Sequence, residues 1–431
     1  MPSHQLVETV TLTDCRNYII SNAKLQYKMS SQGKQSPVLW ISGPPGLGKS
    51  EFMEQLVIEL NWGLSICFLS QMTIDMMSGL PMVKIDTDHE DHTIPWSLPE
   101  VFNFDNMRVR PKSKDEQNPE DSEVITFGAA IVEDAVEDAK GKDPLVILFF
   151  DDAHLSDRGI QKYMFQLLGQ KTIHSHTLPP NVVIVLAGNR SEDHAGFQQV
   201  LAPIANRIQY LDVRYDLDTW IDNYAIKNNV RLDIVSFLSN SPEAFSSTPM
   251  ESAAWASPRS WTYASMGLDQ FEKDGHRLDA TTTLNIVKGC VGTEYASAFN
   301  QYRELLMRWE SDKILSGVKK VVEYKKDKTN SSDIVVEELD RVECYALMTS
   351  TVQGITKKLR KVNFKATEST DKSVDIFRLD VLKPITRKHR EIVPLGLKIL
   401  FMSEKEYKSS AITRRLLMDD EVVAMVSTLF K

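Results

Sequence analysis

Short apolar runs alternate with stretches of helical spacing through the first half of the chain. Val38–Ile41, Leu64–Leu69, Leu145–Phe150, Val182–Ala187 and Ile208–Val213 are each largely apolar over four to six residues. Runs of this length suit strands buried on both faces. Between them the period changes. Tyr18, Ile19, Ala23, Leu25 and Met29 recur at roughly helical spacing within 12–29, with Thr13 and Asp14 placed to cap. A second helix is expected from about Lys49 to Leu60, with Phe52, Leu56 and Leu60 along one side, and a third over Thr126–Ala139. Strands alternating with helices predict an α/β fold with a doubly wound, five-stranded parallel sheet. Ligands on such sheets bind beyond the carboxyl ends of the strands.

The pattern changes twice more. From about Asp86 to Glu123 the chain is polar, acidic and proline-containing, with Trp96, Phe102 and Phe104 embedded in it, and reads as an insertion. From Leu217 helical spacing takes over, as in Trp220, Tyr224 and Ala225, and continues to about Trp309, a natural second domain. Residues 313–332 are charged and poor in apolar side chains, which predicts a linker or a frayed helix. The remainder mixes possible strands and helices. The expected division is therefore 1–215, 216–312 and 313–431.

Charge sharpens the last boundary. The net charge is -9, yet from Lys313 onward 24 Lys and Arg stand against 17 Asp and Glu, a surplus of +7. The preceding residues then carry 26 against 42, or -16. Such a split fits a basic interaction surface, and equally a solvated face or a tail packing on an acidic body. No apolar run approaches the roughly 18 residues of a membrane span, and Met1–Asp14 shows no basic start followed by an apolar block. Cys15, Cys67, Cys290 and Cys344 are far apart, which argues against a zinc site or a disulfide framework. A reduced, cytoplasmic setting is the expectation.

The chemistry begins directly after the first strand. Gly43-Pro44-Pro45-Gly46-Leu47-Gly48-Lys49-Ser50 fits G-x-x-x-x-G-K-[ST] with a strand before it and a helix after it. Glycines let the backbone curl so that N–H groups face phosphates, and the helix start adds its positive dipole end. Lys49 is expected to reach the β- and γ-phosphates, and Ser50 to hold Mg²⁺. Asp151 and Asp152 close the third apolar run. Asp151 is assigned to the magnesium shell and Asp152 to the attacking water. Asn189 ends the next run, where an amide can orient the water or sense the γ-phosphate. Arg207, before the fifth run, is a candidate arginine finger acting across a subunit boundary. Arg259, in Ser257-Pro258-Arg259-Ser260-Trp261, is a candidate γ-phosphate contact from the helical domain. The absence of Asn-Lys-x-Asp favours ATP over GTP. His89, His92, His154, His174, His176 and His194 have no metal-ligand spacing and are expected to be solvated loop residues.

Taken together, these motifs resemble the MoxR-like branch of AAA+ ATPases over roughly residues 12–310. The Gly43–Ser50 form is common in that family. Ser78–Phe127 resembles its insertion (about 79–127), Gly169–Asn181 its hairpin before sensor 1, and Asn189 its sensor 1. Asn206-Arg207 resembles the arginine finger, Pro258-Arg259-Ser260 sensor 2, and Val291–Phe299 a late lid helix. The resemblance implies an AAA+ P-loop NTPase with a helical lid domain, followed here by a C-terminal α+β extension. It also implies ATP and Mg²⁺ as cofactors, a hexameric ring with ATP at the subunit interface, and remodelling of a client protein, often one with a von Willebrand A-type domain. Trp96 and the Ile173–His176 tip are then the expected client contacts. Members are typically encoded by bacteria, archaea or their phages, so the cytoplasm of a bacterium or of a phage's host is the implied location.

Asp152 departs from the family, whose second acid is glutamate, and the tail after Lys313, which matches no specific module, is a second departure. Two other readings stay open. One is a nucleic-acid motor or helicase loader that uses the basic tail, although between Asn330 and Glu391 only Tyr345, Phe364 and Phe377 offer base-stacking surface. The other is a scaffold that binds ATP to assemble and barely hydrolyses it.

Overall fold

The structure is a computed structural model and describes residues 9–78, 145–173, 176–190, 193, 200–247, 254–325, 333–361, 368–406, 416 and 423. Most of the expected insertion, the helix expected over 126–139, and His89, His92, His174 and His194 lie outside these residues. The described chain forms two compact units, 1–216 and 217–431.

The first unit is built on five parallel strands: β1 (Val38–Ser42), β2 (Gly63–Phe68), β3 (Val146–Asp151), β6 (Val182–Gly188) and β7 (Ile208–Asp212). Their order is β2-β3-β6-β1-β7. A separate antiparallel pair, β4 (Thr172–Ile173) and β5 (His176–Thr177), stands between β3 and β6 in sequence. The register sets Ser42 opposite both Gly188 and Asp212, and Phe150 opposite Leu186. The carboxyl ends of β1, β3 and β6 therefore come level, and the residues just beyond them are neighbours.

Every residue of β1, β3 and β6 is buried, as expected of a parallel sheet covered on both faces. Alternation sends successive side chains to opposite sides. Trp40, Leu148, Phe150, Ile184 and Leu186 pack on Met164, Leu167 and Leu168 of α4 (Arg158–Gln170). Leu39, Ile41, Phe149, Val183 and Val185 pack on Ile19 and Ala23 of α1 (Leu12–Ser30) and on Met53, Leu56 and Val57 of α2 (Lys49–Leu60). Short helices α3 (Ile74–Ser78) and α5 (Ala202–Ala205) complete the unit.

Helix α1 departs from its sequence pattern in two ways. Its cap is Thr11, which forms a capping box with Asp14. Its buried face carries Asn22 and Gln26, while Tyr18 and Leu25 are exposed. The amide of Gln26 explains this, since it donates to the Ile184 carbonyl over 2.7 Å and accepts from the Ile184 N–H over 2.9 Å. A buried amide satisfied on both sides loses little relative to water.

The second unit is mainly helical: α6 (Leu217–Trp220), α7 (Leu232–Asn240), α8 (Pro258–Lys273), α9 (Ala280–Val291), α10 (Thr293–Arg308), α11 (Ser311–Leu315), α12 (Arg341–Lys361), α13 (Glu368–Ile376), α14 (Lys383–Lys388) and α15 (Val393–Glu406), with a two-residue parallel pair β8 (Val321–Val322) and β9 (Ile334–Val335). Phe237, Trp261, Phe299 and Tyr302 form an aromatic cluster. The hydroxyls of Ser236, Tyr302 and Thr349 bond to one another where α12 meets α7 and α10. Helices on both sides of residue 313 thus share a core. The described part of 313–332 is not a bare linker. Ile314, Leu315 and Val321 are buried in α11 and β8, while Val318 and Tyr324 are exposed. Apolar content alone underestimated this segment because a few isolated apolar side chains in it are buried.

Candidate functional site

The loop after β1 turns into α2 without a conventional cap. Gly48, at the cap position, has φ +94°, and Gly46 has φ +76°. Only glycine adopts such angles without strain. Gly43 serves a different need, close approach: a Cβ built there would lie 2.8 Å from Leu47 Cδ2 and 2.9 Å from the Val213 carbonyl oxygen. Two contacts brace the loop from outside. The Gly43 N–H donates to the Gly188 carbonyl over 3.2 Å, and the Tyr215 hydroxyl donates to the Pro45 carbonyl over 2.5 Å.

Lys49 opens α2 and is buried. Its ammonium donates to the Gly43 carbonyl (2.9 Å), to the Pro44 carbonyl (3.2 Å) and to Asn189 Oδ1 (3.0 Å). Ser50 donates its hydroxyl to Asp151 Oδ2. The other Asp151 oxygen accepts from the Asp152 N–H over 2.8 Å. Asp152 holds a left-handed backbone, φ 54°, and its carboxylate accepts from the Ser70 hydroxyl over 3.2 Å. Asparagine and aspartate are among the few non-glycine residues that visit this region. Lys49, Ser50, Asp151, Asp152 and Asn189 are thus linked to one another at the carboxyl edge of the sheet.

The donor set suits a nucleoside polyphosphate and a hard divalent cation. A hydroxyl beside a carboxylate offers oxygen ligands of the kind Mg²⁺ prefers, with water and phosphate completing the shell. Among the described residues, no group of three His, Cys, Asp or Glu is placed to hold a metal ion.

No protein-family description matches the chain, and neither does any curated protein. Among solved structures, 166 chains match. A RuvB mutant from Thermotoga maritima is 11% identical, covers 86% of this chain and 88% of its own, and has a TM-score of 0.27. A second RuvB mutant from the same organism is 12% identical over 72% and 78%, with a TM-score of 0.31. NtrX from Brucella abortus in complex with ADP is 12% identical over 96% and 69%, with a TM-score of 0.26. These likenesses are loose, and the strand order and the phosphate loop remain the grounds for the fold.

Two sequence candidates lie elsewhere. Arg207 sits at the opposite, amino-terminal edge of the sheet, where its carbonyl accepts from the Val38 N–H over 2.9 Å. Its guanidinium lies over the Phe165 ring, 4.1 Å from the centroid, and donates to the Pro203 carbonyl over 2.7 Å. Arg259 is exposed near the start of α8, in the second unit.

One residue was misread from sequence. His154, expected to be a solvated loop residue, is fully buried. Its ring Nδ1 accepts from the Asn189 N–H over 3.1 Å, and its Nε2 lies 3.2 Å from Asn189 Nδ2. The available signal was its position two residues after Asp152, in the turn that leaves β3.

Proposed function

We propose that this chain is an AAA+ ATPase that binds Mg²⁺–ATP at Gly43–Ser50, hydrolyses it, and uses the cycle to remodel a client protein from within a ring of identical subunits. The observation that carries the reading is the meeting of Lys49, Ser50, Asp151 and Asn189 at the carboxyl edge of the sheet. Mg²⁺ supplies charge neutralisation on the phosphates when bound, held by Ser50 and Asp151. Lys49 exchanges its bonds to the loop carbonyls for phosphate oxygens. Asp152 accepts a hydrogen bond from the attacking water and orients it. Asn189 fixes the far side of the γ-phosphate.

Arg207 does not serve the loop of its own chain, since the two stand at opposite edges of the sheet. It acts on a neighbouring subunit's nucleotide, presented there on Phe165. Arg259 remains the γ-phosphate contact suggested by its sequence motif. The MoxR-like resemblance supports the hexameric ring and a client with a von Willebrand A-type domain. A second reading, an ATP-gated scaffold with slow turnover, is favoured by Asp152, whose carboxylate is one methylene shorter than glutamate and already engaged by Ser70.

Light scattering and ATP turnover measured together test this reading, on the native chain and on Arg207→Ala. A ring that forms or tightens with Mg²⁺–ATP is expected. Its turnover should fall by roughly 10³-fold or more when Arg207 is removed. A monomer whose turnover ignores Arg207 would overturn the ring model.

A further inference from the structure

Pro44 and Pro45 have no backbone N–H to offer a phosphate. The Gly43 N–H is already given to the Gly188 carbonyl. The Gly46 N–H is therefore the first donor of the loop that can turn to a nucleotide. Its direction is set by one peptide unit, Pro45–Gly46. In a trans peptide the carbonyl and the N–H point opposite ways, and the described chain has no cis peptide. Pro45 and Gly46 are the central residues of a turn. Gly46 has φ +76°, which with proline before it is the type II form. A type I turn accepts the same proline and differs by a half-turn of the central peptide. The Pro-Gly pair thus leaves the orientation of this peptide open, and a group outside the turn has to choose.

Tyr215 makes that choice. The first two carbonyls of the loop, of Gly43 and Pro44, face the Lys49 ammonium. The third, of Pro45, accepts from the Tyr215 hydroxyl over 2.5 Å. Tyr215 is itself well placed. The backbone before it is held on two sides, with the Val213 N–H donating to the Ser42 carbonyl over 2.7 Å and the Arg214 N–H to the Val10 carbonyl over 2.9 Å. Its half-buried ring packs on the cluster that contains Leu47 and Val213. The geometry points to Tyr215 as a positioning residue for phosphate binding: its hydroxyl holds the Pro45 carbonyl on its own side of the loop, so that the Gly46 N–H faces the phosphates. With this peptide turned over, a carbonyl oxygen would meet the phosphates in place of a donor. No proton is transferred and no covalent bond changes. Tyr215 lies outside the eight-residue motif, and the inference rests on the nucleotide-binding reading above.

The test is Tyr215→Phe in the full chain, which keeps the ring and removes only the hydroxyl, with melting curves to verify folding. Mg²⁺–ATP and Mg²⁺–tripolyphosphate should each bind about three- to tenfold more weakly. In turnover the loss should fall on KM more than on kcat, because a loop that has bound phosphate is already in the competent form. Unchanged affinity would overturn the inference. So would a loss confined to ATP, which would make Tyr215 a contact for the base. A second readout needs no turnover. Pro45–Gly46 is the one Pro-Gly pair in the sequence, so carbonyl-labelled proline combined with nitrogen-labelled glycine marks this peptide alone for NMR. Its signal should move when a non-hydrolysable ATP analogue is added to the native chain, and Tyr215→Phe should shift it in the absence of nucleotide. A signal indifferent to either change would also overturn the inference. A native chain that binds the analogue but never hydrolyses ATP would end the ATPase reading and leave the role of Tyr215 to the binding and NMR results. A native chain that binds neither the analogue nor tripolyphosphate would overturn both.

Discussion

Gly43 lies directly beneath Val213, so close that a Cβ on Gly43 would stand 2.9 Å from the Val213 carbonyl oxygen. The carbonyl belongs to backbone just past β7 and cannot rotate away as a side-chain tip would. Gly43→Ala is therefore expected to displace the start of the phosphate loop. Overpacking of this kind costs about 1–3 kcal/mol, so the melting temperature should drop by several degrees and nucleotide affinity should fall with it. Differential scanning calorimetry with and without Mg²⁺–ATP checks both. A variant that melts and binds like the parent would show that the loop has slack the structure does not reveal.

On the proposed reading Asp152 orients the attacking water, and its carboxylate is one methylene shorter than the glutamate of the family its motifs resemble. Positioning groups are sensitive to displacements near 1 Å. Asp152→Glu is expected to speed single-turnover hydrolysis by roughly tenfold. The same change should lower the melting temperature slightly, because the position has φ 54° and glutamate tolerates this less well than aspartate. A slower variant would mean that Asp152 is matched to its place, with the bond from Ser70 as part of the match.

Lys171 ends α4 and leads into the β4–β5 pair, with its ammonium donating to the Val182 carbonyl over 2.7 Å. Burial pushes its pKa down from 10.5 to about 8. The folded state thus releases this proton at lower pH than the unfolded state does. Between about pH 8 and pH 10.5 the unfolded chain holds more protons, so this group's contribution to stability rises with pH across that window. The contribution is fully present above the unfolded value and is lost as pH falls through about 8. Lys171→Met should remove the trend. Melting curves of both proteins from pH 7 to pH 10.5 should differ in slope over that window, and parallel curves would refute the assignment.

Much of the first unit was legible because its signals are local. A buried parallel strand announces itself as an unbroken apolar run, and the phosphate loop is eight consecutive residues between a strand and a helix. The face of α1 was not legible, since Asn22 and Gln26 are buried only because the backbone at Ile184 offers Gln26 both bonds it needs. His154 was missed for the same reason. A lone histidine looks solvated until the fold brings Gly188 and Asn189 against it. Arg207 could be named from its place before a strand, but its seat on Phe165 depends on two segments 42 residues apart. The segment after Asp312 misled because burial there is achieved by isolated apolar residues with no period to follow.

The central claim is that Gly43–Ser50 binds Mg²⁺–ATP, and equilibrium titration with a fluorescent ATP analogue tests it most directly. The native chain should bind saturably in the presence of Mg²⁺. Lys49→Ala, shown by melting to be folded, should bind at least about tenfold more weakly, because it loses the loop ammonium proposed to pair with the phosphates. No saturable binding by the native chain, or equal affinity in the two proteins, would contradict the account.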